Sequence, residues 1–353
     1  MQISLTKYSD SHLFIPSDIR VNTTPRNRSF IHAIDKYIQN INFDVYPFNQ
    51  KLPEITKEVF QAYGLPLSLN SCIYQKCGQK RKLFGSSTKT LKGQNKGVKT
   101  AVLYLSAADR SGYNLCVFSS VICRLLCLGH TSGRMGQVWK TKEEYKQTHI
   151  VNDQQLSQFL KTVWFLNHPV SFLRQLIMEI IDHAMKTKLK DGDREWESAI
   201  RLNGTSDLDW WRYLDIDALN EDWGVSFYDY TKRPVVPNDL PKSYHLTYSI
   251  SEIRNSWKRA AIWMKAGYSA ALVVGSKDND SYEAQKQAQK MIVDFGHFHI
   301  NGYDYEVING DLDDLRYLDG VDHNGIGRLV TLYVKGQEKE IHRIKDSGFV
   351  YRV

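Results

Sequence analysis

The sequence predicts an α/β fold: a partial (β/α) barrel of mainly parallel strands, preceded by a helical and irregular N-terminal extension. Three observations predict it. Short apolar-aromatic strands recur at even intervals between residues 100 and 336, and helix-period segments fit between several of them. Each strand ends in a polar burst, where ligands gather in parallel sheets. Residues 1–97 instead carry scattered prolines and a basic stretch rich in glycine and serine.

The extension comes first. FIHAIDKYIQNI (30–41) places apolar residues at helical spacing, and Pro47, Pro53 and Pro66 break the segments after it. Residues 78–97 read as a loop. TAVLYLSA (100–107) is a short apolar run between polar flanks, the pattern of a strand buried on both faces. A helix is expected over 153–166. In SFLRQLIMEIIDHAMKTKL (171–189), Phe172, Leu173, Leu176, Ile177, Ile180, Ile181, Ala184 and Met185 form one apolar stripe, with Pro169 ahead of it and lysines at its end. The later strands are SAIRLNGTSD (198–207), VSFYDYTKRP (225–234), SYHLTYSIS (243–251), AALVVGS (270–276), YEVINGDLDDLR (305–316) and RLVTLYVKG (328–336). Helix 253–267 stops at Gly267. Helix 280–296 opens with Asp280 and Glu283 at capping-box spacing and stops at Gly296. The chain thus divides into an extension with a basic loop, 1–97, and a barrel domain, 98–353.

With 353 residues, 42% hydrophobic and 12% aromatic, the chain can bury a sizeable core. No apolar run is long enough to span a bilayer. MQISLTKYSDSHLF has no apolar segment behind a basic start, so no secretory signal is expected. Five cysteines, an odd number, argue against a disulfide framework and for a reduced, cytoplasmic setting. The net charge of +7 is mild, but no acidic residue lies between Glu58 and Asp109. Lys80, Arg81, Lys82, Lys89 and Lys92 fall in that block, which reads either as a footprint for nucleic acid or as a solvated loop. P-loop, Rossmann, esterase and zincin signatures are missing.

Cys116, Cys123 and Cys127 form C-x6-C-x3-C directly after the first strand, which puts them at the C-terminal mouth of the sheet. Three thiolates suit an iron–sulfur cluster that keeps one iron open. Zinc needs a fourth ligand, from Cys72, Cys77, His130 or His149. The apolar neighbours Val117, Val121, Ile122, Leu125 and Leu126 also suit buried thiols without metal. Asn203, Gly204, Ser206 and Asp207 close the second strand, where glycine lets a ligand approach and Asp207 can accept from an ammonium; a capped helix start is the plainer reading. Asp229 and Lys232 end the third strand, and a cation there can anchor a carboxylate or phosphate. His245, Thr247 and Ser249 alternate and so share a face. Asp311, Asp313 and Asp314 are either a Mg²⁺ site or a turn neutralised by Arg316. HFHI (297–300), with Tyr282 nearby, matches the two-histidine pattern of rolling-circle nucleases.

These motifs carry a resemblance. A three-cysteine loop after the first strand looks like the radical S-adenosylmethionine (SAM) superfamily, whose usual spacing, C-x3-C-x2-C, differs from the one here. NLCVFSSVICRLLCLGHTSGR, followed by RLNGTSDLDW, FYDYTKRP, YHLTYS, NGDLDDLRYLDG and GFVYRV, is similar to the phage and mobile-element family called after "gene product 88". The resemblance covers roughly residues 98–353. It implies a radical SAM-like partial barrel with a [4Fe–4S] cluster on Cys116, Cys123 and Cys127 and S-adenosylmethionine on its open iron. Asn203, Gly204, Ser206, Asp207, Asp229, Lys232 and His245 would then face the cofactor. It also implies a phage protein of the host cytoplasm or the virion. The basic entrance, and not the resemblance, points to a nucleotide or nucleic acid as substrate. The alternative is a non-catalytic nucleic-acid-binding or virion protein with a structural zinc.

Overall fold

The computed structural model describes residues 33–50, 82–131, 152–188, 195–336 and 338–353. Ten strands form one sheet: β1 Phe84–Gly85, β2 Val98–Leu103, β3 Glu197–Arg201, β4 Val225–Thr231, β5 Tyr244–Ser249, β6 Ala270–Gly275, β7 His297–Ile300, β8 Tyr303–Asn309, β9 Leu329–Tyr333 and β10 Tyr351–Arg352. Neighbours run β1-β2-β3-β4-β5-β6-β9-β8-β7, with β10 alongside the end of β6. From β2 to β8 along this order every pairing is parallel, and these are the seven strands read from the sequence.

The sheet stays open, in keeping with the incomplete closure expected, and its strand order does not describe a barrel. The outer parallel strands β2 and β8 each give their free edge to a short antiparallel strand, β1 and β7. The last long strand, β9, inserts between β6 and β8 rather than continuing around a cylinder. β5 and β6 pair only over Tyr248–Ser249 and Ala270–Ala271, and β10 takes up Val274 and Gly275 farther along β6.

The helices are α1 Thr88–Lys92, α2 Val121–Leu125, α3 Leu128–Thr131, α4 Asp153–Asn167, α5 Pro169–Lys188, α6 Ile216–Trp223, α7 Ser256–Lys265, α8 Tyr282–Phe295 and α9 Glu338–Arg343. Three local expectations are corrected. The basic loop is helical over α1 and the 3₁₀ turn Gly93–Lys96, because Ser87 and Thr90 form a reciprocal capping box. The helix expected over 30–41 has helical geometry at 33–35 and ends in a turn, since Ile38 pairs with Leu214 and Tyr37 accepts from the Asp215 N–H. The cap of α8 is Ser281 and not Asp280, whose carboxylate pairs with Arg352 and His342.

The main core lies between the sheet and its helices. Ala101, Leu103, Ile200, Phe227, Leu246 and Leu272 on the strands meet Phe159, Phe172, Leu176, Ile180, Leu219 and Trp263 on the helices. With an alternation of two, the intervening residues occupy the second face. There Val98, Ala199 and Tyr228 pack on Leu315. No helix among the described residues is long and apolar enough to cross a membrane.

Candidate functional site

The cysteine loop is tied to the C-terminal ends of three strands. After β3, the Asp207 N–H donates to the Leu115 carbonyl at 2.9 Å, and the Cys116 thiol points at the Thr205 carbonyl at 3.7 Å. After β5, Glu252 receives the Ser120 hydroxyl at 2.8 Å and the Ile122 N–H at 3.2 Å, while Ser120 caps the short helix by accepting from Cys123 N at 3.1 Å. After β4, the Arg233 guanidinium forms a bidentate pair with Asp209 and lies 5.0 Å over the Phe118 ring. The first cysteine, on the loop before α2, and the second, inside it, are therefore held by the ends of β3, β4 and β5.

Cys116, Cys123 and Cys127 form no disulfide and are half-buried. Burial is the first cause that raises all three, and neighbouring cysteines add to it for Cys116 and Cys127. Cys116 is held well above the ordinary thiol range, with Asp207, Cys127 and Cys123 contributing. Cys123 is raised by burial, Asp207 and Glu252, against Lys232, and Cys127 is pushed up to about 11. This field disfavours three thiolates on their own and favours a cation among them. Among the described residues, no group of three or more His, Cys, Asp or Glu side chains could hold a metal ion. Cys72, Cys77 and His149 lie outside the described residues, as does the side chain of His130.

Residues 77–353 match the family described as Gene product 88. The chain belongs to the Gene product 88 family. Neither a curated protein nor a solved structure matches it. The match bears out the resemblance to the Gene product 88 family, not the radical SAM-like layout, and begins about twenty residues ahead of the expected start.

In this Gene product 88 protein the other expected site residues separate into two sets. Asp207 and Lys232 stand together beside the thiols. The Asp207 carboxylate accepts from the Lys232 N–H at 2.9 Å, and the Lys232 ammonium donates to Ser249 Oγ at 2.9 Å and lies over the Phe349 ring. Asn203, Gly204, Ser206 and Asp229 instead build the turn that presents Asp207. Asn203 Oδ1 accepts from Ser206 Oγ, Leu208 N and Trp210 Nε1. Gly204 is required by the chain itself, because a Cβ there would lie 2.6 Å from Val102 Cγ1 and 2.7 Å from the Leu103 carbonyl. Asp229, wholly buried, accepts from Leu202 N, Asn203 N and Tyr244 OH. His245 lies farther down the second face, opposite Tyr228.

The basic block and the acidic cluster are partners. Lys89 pairs with Asp314 at 3.2 Å, Lys96 with Asp313 at 2.7 Å and Lys335 with Asp311 at 2.5 Å, and Lys92 donates to the Asp311 carbonyl. Arg201 completes the set with Asp314 at 2.5 Å. Asp311, Asp313 and Asp314 are therefore neutralised by the chain's own cations and are not a Mg²⁺ site. Lys82 is exposed, while Lys80 and Arg81 fall outside the described residues. His297 and His299 sit exposed on edge strand β7, and Tyr282 meets the Tyr333 hydroxyl at 3.0 Å, so the nuclease pattern does not assemble.

Sequence reasoning missed Glu252, Phe349 and Tyr46. Glu252 had a positional signal, following β5 directly in SISE. Phe349 stood in the motif GFVYRV with nothing to show its place, and Tyr46 had no signal, because both reach the loop through tertiary folding. Tyr46 is held far up by burial and by Cys116, and Gln50 pins its segment by exchanging hydrogen bonds with the Asn114 backbone.

Proposed function

We propose that this Gene product 88 protein is an iron–sulfur enzyme of the radical S-adenosylmethionine kind, working at the C-terminal mouth of its open sheet on a nucleotide substrate. One observation carries the reading: three half-buried thiols share one loop, with Asp207 and Lys232 beside them. Three thiolates on one loop suit a [4Fe–4S] cluster that keeps one iron open, whereas a zinc ion would want a fourth ligand beside them. Cys116, Cys123 and Cys127 would hold the cluster.

Bound there, the cluster and S-adenosylmethionine would supply one-electron chemistry that abstracts hydrogen from an unreactive carbon. The chain's own groups bind and orient. Asp207 accepts from an ammonium and Lys232 donates to a carboxylate, so the two together suit the amino-acid end of that cofactor. Ser249 and Phe349 fix the Lys232 ammonium, and Glu252 fixes the helix that carries Cys123.

The test is anaerobic purification with iron and sulfide analysis, wild type against Cys116→Ala, Cys123→Ala and Cys127→Ala. Wild type should be brown, carry iron and sulfide matching one [4Fe–4S] cluster per chain, and release 5′-deoxyadenosine from S-adenosylmethionine under a reductant. Each variant should lose the colour while keeping the wild-type circular dichroism. A colourless wild type with stoichiometric zinc overturns the reading.

A further inference from the structure

Below the thiols, the second face of the sheet carries a different set of groups. Across the β4–β5 ladder Tyr228 pairs with His245 and Tyr230 with Thr247, and alternation puts all four side chains on one face. The Arg201 guanidinium lies over the Tyr228 and Tyr230 rings, 5.8 and 5.2 Å from their centres. Arg316 arrives from the 3₁₀ turn Arg316–Leu318, which packs against β4 and β5, and is 1% exposed.

Several buried polar atoms here have no protein hydrogen-bond partner among the described residues: Tyr230 OH, Thr247 Oγ1, His245 Nε2 and Arg316 Nε. Thr247 is wholly buried. Leaving such groups unpaired is costly, so four of them on one face mark a built polar site. Their chemistry is one-sided. Arg316 Nε–H can only donate, the two hydroxyls donate readily, and a neutral imidazole donates from one nitrogen. The nearby carboxylates already face the chain's own cations: Asp314 faces Arg201 and Lys89, Asp313 faces Arg316 and Lys96, and Asp319 faces Arg316 at 3.3 Å. A ligand that satisfies the face must bring acceptors.

We propose that this face binds an oxyanion, the phosphate or carboxylate group of a small molecule, between Tyr230, Thr247, His245 and Arg316. The site stands on its own residues and does not depend on a cluster at the thiols. Its position below the strand ends, between the helix-covered layer and the 3₁₀ turn, would place the rest of the ligand toward Lys232 and the cysteine loop.

The experiment is isothermal titration calorimetry of the full chain as purified, with inorganic phosphate in one arm and malonate in the other. The same titrations and thermal melts are run on Tyr230→Phe and Thr247→Val. Each substitution deletes one hydroxyl that has no protein partner, so the free protein should melt at or above the wild-type temperature. At least one anion should bind, the tighter one naming the group, and each variant should bind it about tenfold or more weakly. Failure of both anions to bind overturns the proposal, as does wild-type affinity in both variants. So does a lower melting temperature in both, which would assign the hydroxyls to the fold. Because the readout is binding, a chain that lacks iron tests this proposal as well as one that holds it.

Discussion

Asp229 and His245 show burial setting charge at single residues, with opposite signs. Burial holds the Asp229 carboxyl up to about 7, against Arg201, Tyr244 and the N–H groups of Asn203 and Leu202. The native state thus keeps a proton that the unfolded chain releases near its ordinary value of 3.8. The stability contributed by this group is present at low pH and falls as pH rises toward about 7. Burial, and then Arg316, lowers His245 to about 4 from 6.5, so its contribution is full above 6.5 and is lost as pH falls toward 4. Melting curves of His245→Gln and Asp229→Asn against wild type at several pH values should separate the two. The wild-type advantage over Asp229→Asn should shrink with rising pH, and that over His245→Gln should shrink with falling pH. A trend opposite to the expected one in either variant would refute the assignment of that residue.

At the scale of elements, the turn after β3 decides whether the cysteine loop has a base to rest on. Gly204 N donates to the Leu103 carbonyl at 3.0 Å, and Thr205 Oγ1 donates to the Leu105 carbonyl, so this turn lies directly on the chain leaving β2. Gly204→Ala should cost about 1–3 kcal/mol in urea unfolding, because a methyl group has no space there. It should also lower iron incorporation, since the same turn carries Thr205 and Asp207 to Cys116. Wild-type stability in this variant would show that the turn has room. The strands themselves were legible, because apolar alternation and polar ends are local patterns. Element ends were less so: α8 starts one residue later than its acidic signal suggests, because Asp280 is drawn to Arg352 from the far end of the chain.

For the whole molecule, the family match starts at residue 77, yet the described segment 33–50 packs into the principal core. Ile34, Tyr37, Ile38 and Ile41 are buried, Asp35 forms a bidentate pair with Arg174, and the Tyr37 hydroxyl links Asp222 with Trp223. Phe48 packs at a tilt on Phe165 and edge-to-face on Tyr213. Deleting residues 1–50 should therefore lower the melting temperature by many degrees, since each of those buried side chains contributes about 1.5–3 kcal/mol. An unchanged melting temperature would remove this segment from the core. By itself, the sequence determined the parallel βα series, the long amphipathic helix α5, the position of three cysteines after the first strand and the family. These rest on short-range periodicity and on motifs contiguous in the chain. Only the tertiary structure decided what keeps the sheet open, the short antiparallel strands β1 and β7 on the edges of β2 and β8. It alone paired the basic block with Asp311, Asp313 and Asp314, and it alone placed Glu252, Phe349 and Tyr46 beside the cysteine loop. Those contacts join residues far apart in the chain, and local pattern carries no information about which distant charge or ring will arrive.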